Sequence, residues 1–144
     1  MNYSYRISWI LEGRIIGVVL EGDLASAPDE FMQAFDDEIN AYIDQGTAPL
    51  VHSIGDMHGV TSMPDIRVMS RIFTFAKNPH FGWQTMIGLE MHPAVKFVSY
   101  LMAQIFRTRT RMVKSIDEAQ AFLQQVDKTL PDLSGLTEAW TQAG

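Results

Sequence analysis

Two histidines and a carboxylate lie close together in His52-Ser53-Ile54-Gly55-Asp56-Met57-His58, the segment of this 144-residue sequence best equipped for proton or metal chemistry. Imidazole and carboxylate are competent metal ligands and a competent acid–base pair. A metal site needs a third ligand at a workable spacing, and His80 and His92 sit in separate segments instead. The spacing therefore predicts no metal centre, and His52 as a partly buried structural histidine. Asp56 and His58 are candidates to line a pocket, because ligands in open α/β sheets gather beyond the carboxyl ends of the strands. An enzyme built on His52, Asp56 and His58 would require the three side chains to converge in one concave site.

Other routes to catalysis are closed. There is no cysteine, which excludes disulfides, thiolate zinc sites and cysteine nucleophiles. Ser53, Ser62, Ser70 and Ser99 lack a G-x-S-x-G elbow, and the glycines fit neither a P-loop nor a dinucleotide fingerprint. We expect no catalytic residue and no cofactor. Ser62 has a different claim. It precedes a helical stripe in Ser62-Met63-Pro64-Asp65, where a serine caps the helix and where backbone amides and the helix dipole favour an anion such as a phosphoryl group. Met63, Met69, Phe73 and Phe75 fall on one expected helix, and Phe97, Tyr100, Leu101, Met102, Ile105 and Phe106 on another. Methionine and phenylalanine at helical spacing make a plain core, or else an apolar groove for a lipid-like molecule, a partner helix or a second protomer.

Charge bounds the partners. Eleven Lys and Arg oppose seventeen Asp and Glu, a net charge of −6, so nothing draws the chain broadly to nucleic acid or an anionic membrane. No Lys or Arg occurs between Arg14 and Arg67, whereas Arg107, Arg109, Arg111 and Lys114 cluster late. The late arginines alternate with threonines and, in a strand, share one sheet face, where they blunt an exposed edge. The N-terminus has no signal-type apolar run, and the stretch 93–106 is too short to cross a bilayer, so we expect a cytoplasmic protein with no membrane span.

The elements that must position these residues follow from pattern. With 47% hydrophobic and 19% charged residues, the chain has the composition of one packed domain, taken as 1–130, with a tail, 131–144, that docks as a short helix. Two β-rich runs, 5–11 and 14–20, flank Glu12-Gly13 and read as a hairpin. Residues 27–45 show helical spacing of Phe31, Phe35, Ile39, Tyr42 and Ile43, with the acids on the solvent side. A strand is expected at 49–54, a loop at 55–61, a helix from Ile66 toward Asn78-Pro79, a strand at 84–89, a helix at 93–106, an edge strand at 109–114 and a helix at 116–126. Ser26-x-x-Asp29, Ser62-x-x-Asp65 and Ser115-x-x-Glu118 have capping-box spacing. Strands alternating with helices predict an α/β fold: a mixed, mostly parallel sheet of five or six strands, helices largely on one face and an N-terminal β-hairpin.

Gly17-Val18-Val19-Leu20-Glu21-Gly22-Asp23-Leu24 before the first helix and Ser115-Ile116-Asp117-Glu118-Ala119 at the start of the last resemble the STAS domain superfamily (sulfate transporter and anti-sigma-factor antagonist domains), in its divergent bacterial branch. The likeness covers residues 5–127. It implies a non-catalytic regulatory module that binds a protein partner or a second copy of itself. In regulatory members, a serine at the start of the second helix, within Asp-Ser-Ser-Gly, is phosphorylated. Ser62 matches that serine, with Thr61, Met63 and Pro64 as its neighbours, so the resemblance implies a binding module more than a phospho-switch. The interaction surface then comprises Ser62, the segment 56–60 and the helix at 93–106. The alternative is a carrier or sensor of an apolar or amphipathic small molecule in a pocket lined by Met63, Met69, Phe73, Phe97 and Met102.

Overall fold

The computed structural model describes residues 2–88 and 109–133. The expected helix at 93–106, with Phe97 and Met102, and the tail beyond Leu133 lie outside the described residues, as do His92 and Arg107.

Five strands form one sheet in the order β1 (Tyr3–Leu11), β2 (Ile15–Asp23), β3 (Val51–Ser62), β4 (Phe81–Ile87) and β5 (Arg109–Val113). β1 and β2 are antiparallel, and β2 through β5 are parallel. The hairpin turns at Gly13, whose φ of +76° a side chain resists. The helices are α1 (Asp29–Asp44), α2 (Ile66–Ile72) and α3 (Ile116–Val126). The expected α/β class, mixed sheet and opening hairpin are all present, and β5 is an edge strand as its composition predicts.

Alternation along the strands divides the apolar residues between two cores. On β2, Ile16, Val18 and Leu20 face α1 and α2, whereas Ile15 faces the opposite side. The first core is rich in rings and methionine: Met32, Phe35, Met57, Met69, Phe73, Phe75, Phe81 and Met86. Each such buried side chain contributes about 1.5–3 kcal/mol relative to exposure. The second is aliphatic, with Ile54, Ile87, Val113 and, from α3 and the segment after it, Ala119, Leu123 and Leu133. Two of the three described helices thus share one face, and α3 covers the other.

Several boundaries differ from the sequence pattern, each for a local reason. β3 runs straight through the expected loop at 55–61. Gly55 and Asp56 are held from both sides, by Val18 and Val19 of β2 and by Met86 and Ile87 of β4, and ladder pairing outweighs their turn propensity. β4 begins three residues earlier than expected, at Phe81, because Val51 pairs with Phe81. Ser62 is not the cap of α2: it is the last residue of β3, and the Asp65 carboxylate instead accepts the Arg67 N–H at 2.7 Å. Ser26 does not cap α1 either; its hydroxyl turns back to Asp23 at 2.5 Å, and α1 starts behind Pro28. Only the third box forms, with Ser115 Oγ accepting the Glu118 N–H and Glu118 Oε2 accepting the Lys114 N–H, both at 3.1 Å. α2 is also short. Met69 lies on it, but Met63 precedes it, Phe73 ends it, and Phe75 lies on a separate 3-10 turn.

Candidate functional site

His52 is the second residue of β3 and is 1% exposed. Its Nδ1 accepts the Trp83 N–H at 2.9 Å, which leaves the proton on Nε2 to be donated to Asp127 Oδ2 at 2.8 Å. Arg14 and Thr129 complete the group, with Arg14 Nη2 at 3.4 Å from Asp127 Oδ2 and at 2.6 Å from Thr129 Oγ1. Burial pushes the His52 pKa below its ordinary value, outweighing the pull of Asp127. Burial by itself would raise the Asp127 carboxyl, but the hydrogen bonds from His52 and Thr129 prevail and hold it at about 2. This clamp ties the chain after α3 to the start of the sheet, with Arg14 Nε as its one buried nitrogen that lacks a hydrogen-bond partner among the described residues.

His58 lies six residues further along β3, about 20 Å at strand rise. It is 53% exposed, and its Nδ1 is 2.8 Å from Asp56 Oδ1, which also accepts the His58 N–H at 3.0 Å. Asp56 and His58 are therefore brought together midway along the strand, short of its carboxyl end at Ser62. His52 is not; it sits at the start of β3, engaged with Asp127. Among the described residues no group of three His, Asp or Glu side chains could hold a metal ion.

Ser62 closes a polar knot at the ends of β2 and β3. Its hydroxyl donates to Asp23 Oδ1 and accepts the Ala25 N–H at 3.2 Å. Hydrogen bonds from Ser26 first, then Ser62, lower the Asp23 pKa. Arg109 and Arg111 share the α3 face of β5, with the Arg111 guanidinium 5.2 Å from the centre of the Phe122 ring.

The concave feature of the first core is a cavity of about 60 Å³ between the sheet and the helices. Phe35 and Ile39 line it from α1, Met63, Phe73 and Phe75 from the segment around α2, and Met57, Phe81 and Met86 from the strands. Met63 and Phe73 were expected at such a pocket. Met69 is fully buried but is not in its wall, and Asp56 and His58 lie outside it. Three polar side chains also line it: Ser53, Gln84 and Thr110. Ser53 pairs in register with Gln84, and Gln84 with Thr110, so the three form one polar row across β3, β4 and β5. Ser53 is 5% exposed, and its hydroxyl has no hydrogen-bond partner among the described residues. Period-two alternation from Val51 would have placed Ser53 on the inner face; the apolar run around it hid the residue.

Asp36 was also missed, since the acids of the first helix were expected on its solvent side. It is 1% exposed. Its Oδ1 accepts the N–H groups of Thr74 at 2.7 Å and Phe75 at 3.0 Å, and its Oδ2 accepts the Thr74 hydroxyl at 2.7 Å. The carboxylate thereby fixes the turn that carries Phe73 and Phe75 into the cavity wall. Its position four residues before Asn40 on the stripe of Met32, Phe35, Ile39 and Ile43 is the sequence signal.

No protein-family model matches the chain, and no curated protein matches it at a significant level. What the fold defines is an α/β protein with one sheet between two unlike cores, one of which contains a ring- and methionine-lined cavity. Among the described residues no helix is long and apolar enough to cross a membrane.

Proposed function

We propose that this chain is a non-catalytic binding module that senses or carries a small, mainly apolar molecule in the cavity between the sheet, α1 and the segments that flank α2. The observation that carries this reading is the cavity itself, an apolar chamber with a few convergent polar groups, the usual form of a ligand site. Its 60 Å³ is smaller than the roughly 150 Å³ that accepts benzene in an engineered apolar cavity, so a ligand enters by displacing the flexible side chains of Met57, Met63 and Met86. The imidazoles support the same reading, because His52 is engaged in a structural clamp and His58 stands apart from it.

Native mass spectrometry of protein purified from its own cells tests this. The expected result is a bound small molecule that leaves on denaturation. A bare chain, together with no thermal stabilisation by small aromatic solutes, would overturn the proposal.

A second reading, a STAS-type regulatory module docking a protein or a second copy of itself, draws support from the exposed Asp56–His58 pair and the nearby Ser62 knot at the strand ends. It predicts that Ser62→Asp changes the set of proteins retained in a pull-down. An unchanged set would leave Ser62 as a purely structural tie.

A further inference from the structure

Resting on the cavity reading above, we infer that the ligand carries one uncharged hydrogen-bonding group, which docks on Ser53 and Gln84 in the polar row of the sheet, while the rest of the molecule is apolar. Three observations converge. First, the row is built by register: Ser53 faces Gln84 and Gln84 faces Thr110 across adjacent parallel strands, so successive polar groups are about 5 Å apart. Second, Ser53 is 5% exposed and Gln84 half-buried, both line the cavity, and neither side chain makes a hydrogen bond among the described residues. A ligand that shuts them off from water would have to pair with them, and its hydroxyl, carbonyl or amide could do so. Third, among the described residues that line the cavity there is no Lys, Arg, His, Asp or Glu. A carboxylate, phosphate or ammonium entering there would lose its hydration with nothing to offset the loss. On the opposite wall Phe35, Phe73 and Phe75 offer ring faces and edges, so the ligand's apolar body lies toward the helices and its polar end toward the sheet.

Gly55 supplies an independent handle. It lines the cavity, and a Cβ added there would come no closer than 3.7 Å to any other group, so an alanine fits and narrows the chamber without a clash.

The test uses the full chain with its methionine methyl groups labelled for NMR, and three solutes of similar size: phenol, toluene and benzoate. Phenol is expected to shift the methyl signals of Met57, Met63 and Met86, toluene to do so with about five-fold weaker affinity (the worth of one neutral hydrogen bond), and benzoate not at all. Ser53→Ala should bring phenol down to the toluene level, and Gly55→Ala should weaken both while the protein stays folded. If neither phenol nor toluene moves these signals, the cavity reading itself falls. If toluene binds as well as phenol, if benzoate binds comparably, or if Ser53→Ala leaves the preference intact, the cavity binds ligands but the inferred polar end is wrong.

Discussion

Replacing Asp36 with alanine should cost this protein about 3 kcal/mol, more than any other surface-helix carboxylate could. The removed group accepts two backbone N–H groups, those of Thr74 and Phe75, and the Thr74 hydroxyl. A buried N–H left without an acceptor costs about 1–3 kcal/mol; the Phe75 N–H is buried and the Thr74 N–H partly so, which places their sum near 2–4 kcal/mol. Releasing a buried charge with no cationic partner returns part of that, giving the net figure. At about 3 °C per kcal/mol for a chain of this size, the melting temperature should fall by about 10 °C. Asp36→Asn separates the acceptor from the charge. It retains an oxygen for the two N–H groups, but its amide meets the Asn40 amide 3.4 Å from Asp36 Oδ2 as donor against donor. A loss of about 1 kcal/mol is expected. Urea unfolding of the three proteins, with an unchanged dependence on denaturant, measures both values. If the alanine variant lies within about 1 kcal/mol of the parent, the carboxylate does not hold the Phe73–Phe75 turn and the account of the cavity wall is wrong.

Acid should destabilise the protein in two stages. The His52 pKa is lowered from 6.5 in the folded state, so below about pH 6.5 the unfolded chain takes the proton first and stability declines. Asp127 falls from 3.8 to about 2, so the stability from its ionised form is present above pH 3.8 and lost between there and pH 2, a further 1–2 kcal/mol or so. Urea midpoints measured from pH 8 to 3 should show the first decline in the parent and not in His52→Gln. Gly22→Ala should leave little folded protein, because its φ is +94° and the new Cβ would lie 1.8 Å from the Asn2 carbonyl oxygen; circular dichroism of the purified variant decides this. Ser62→Asp sets a second carboxylate against Asp23 and should lower the melting temperature near neutral pH more than Ser62→Ala does; thermal melts of both would expose an error if the order were reversed.

The fold class was legible because strand and helix periods are written into residues that touch the core. Ile15 and Ile16 go to opposite faces as alternation requires, and Ala119 and Leu123 of α3 reach the core, although Val126, expected on the same stripe, is exposed at the end of the helix. What was not legible depends on residues distant in sequence. Gly55 and Asp56 look like a loop until β2 and β4 are placed on either side. Ser62 and Ser26 look like caps until Asp23 is brought beside them, and each hydroxyl can serve only one geometry at a time. Asp36 looks solvated until Thr74 and Phe75, almost forty residues on, present their N–H groups to it. The candidate site shared this fate: Met63 and Phe73 could be found by their type, but the polar row needed the register of three strands.

The unlike chemistry of the two cores bears on the binding proposal. The second core consists of Ile, Val, Ala and Leu, and the His52–Asp127–Arg14 group fastens the segment that covers it. β-Branched side chains have few rotamers, so such a core holds one arrangement and tolerates no void. The first core adds softer material to its own Ile, Val and Leu, with Met57 and Met86 on the strands and Phe73 and Phe75 around a short turn held by the Asp36 carboxylate. Methionine has three rotatable bonds, and the rings here meet edge-on or tilted at 5.5–6.1 Å, contacts that survive small displacements. A chamber on the deformable face, floored by Ser53 and facing a rigid counterpart across the same sheet, is the arrangement in which a ligand can be admitted while the sheet keeps its register. Filling it through Gly55→Ala should accordingly raise stability while lowering uptake, and a variant that lost both would separate this account from simple loose packing.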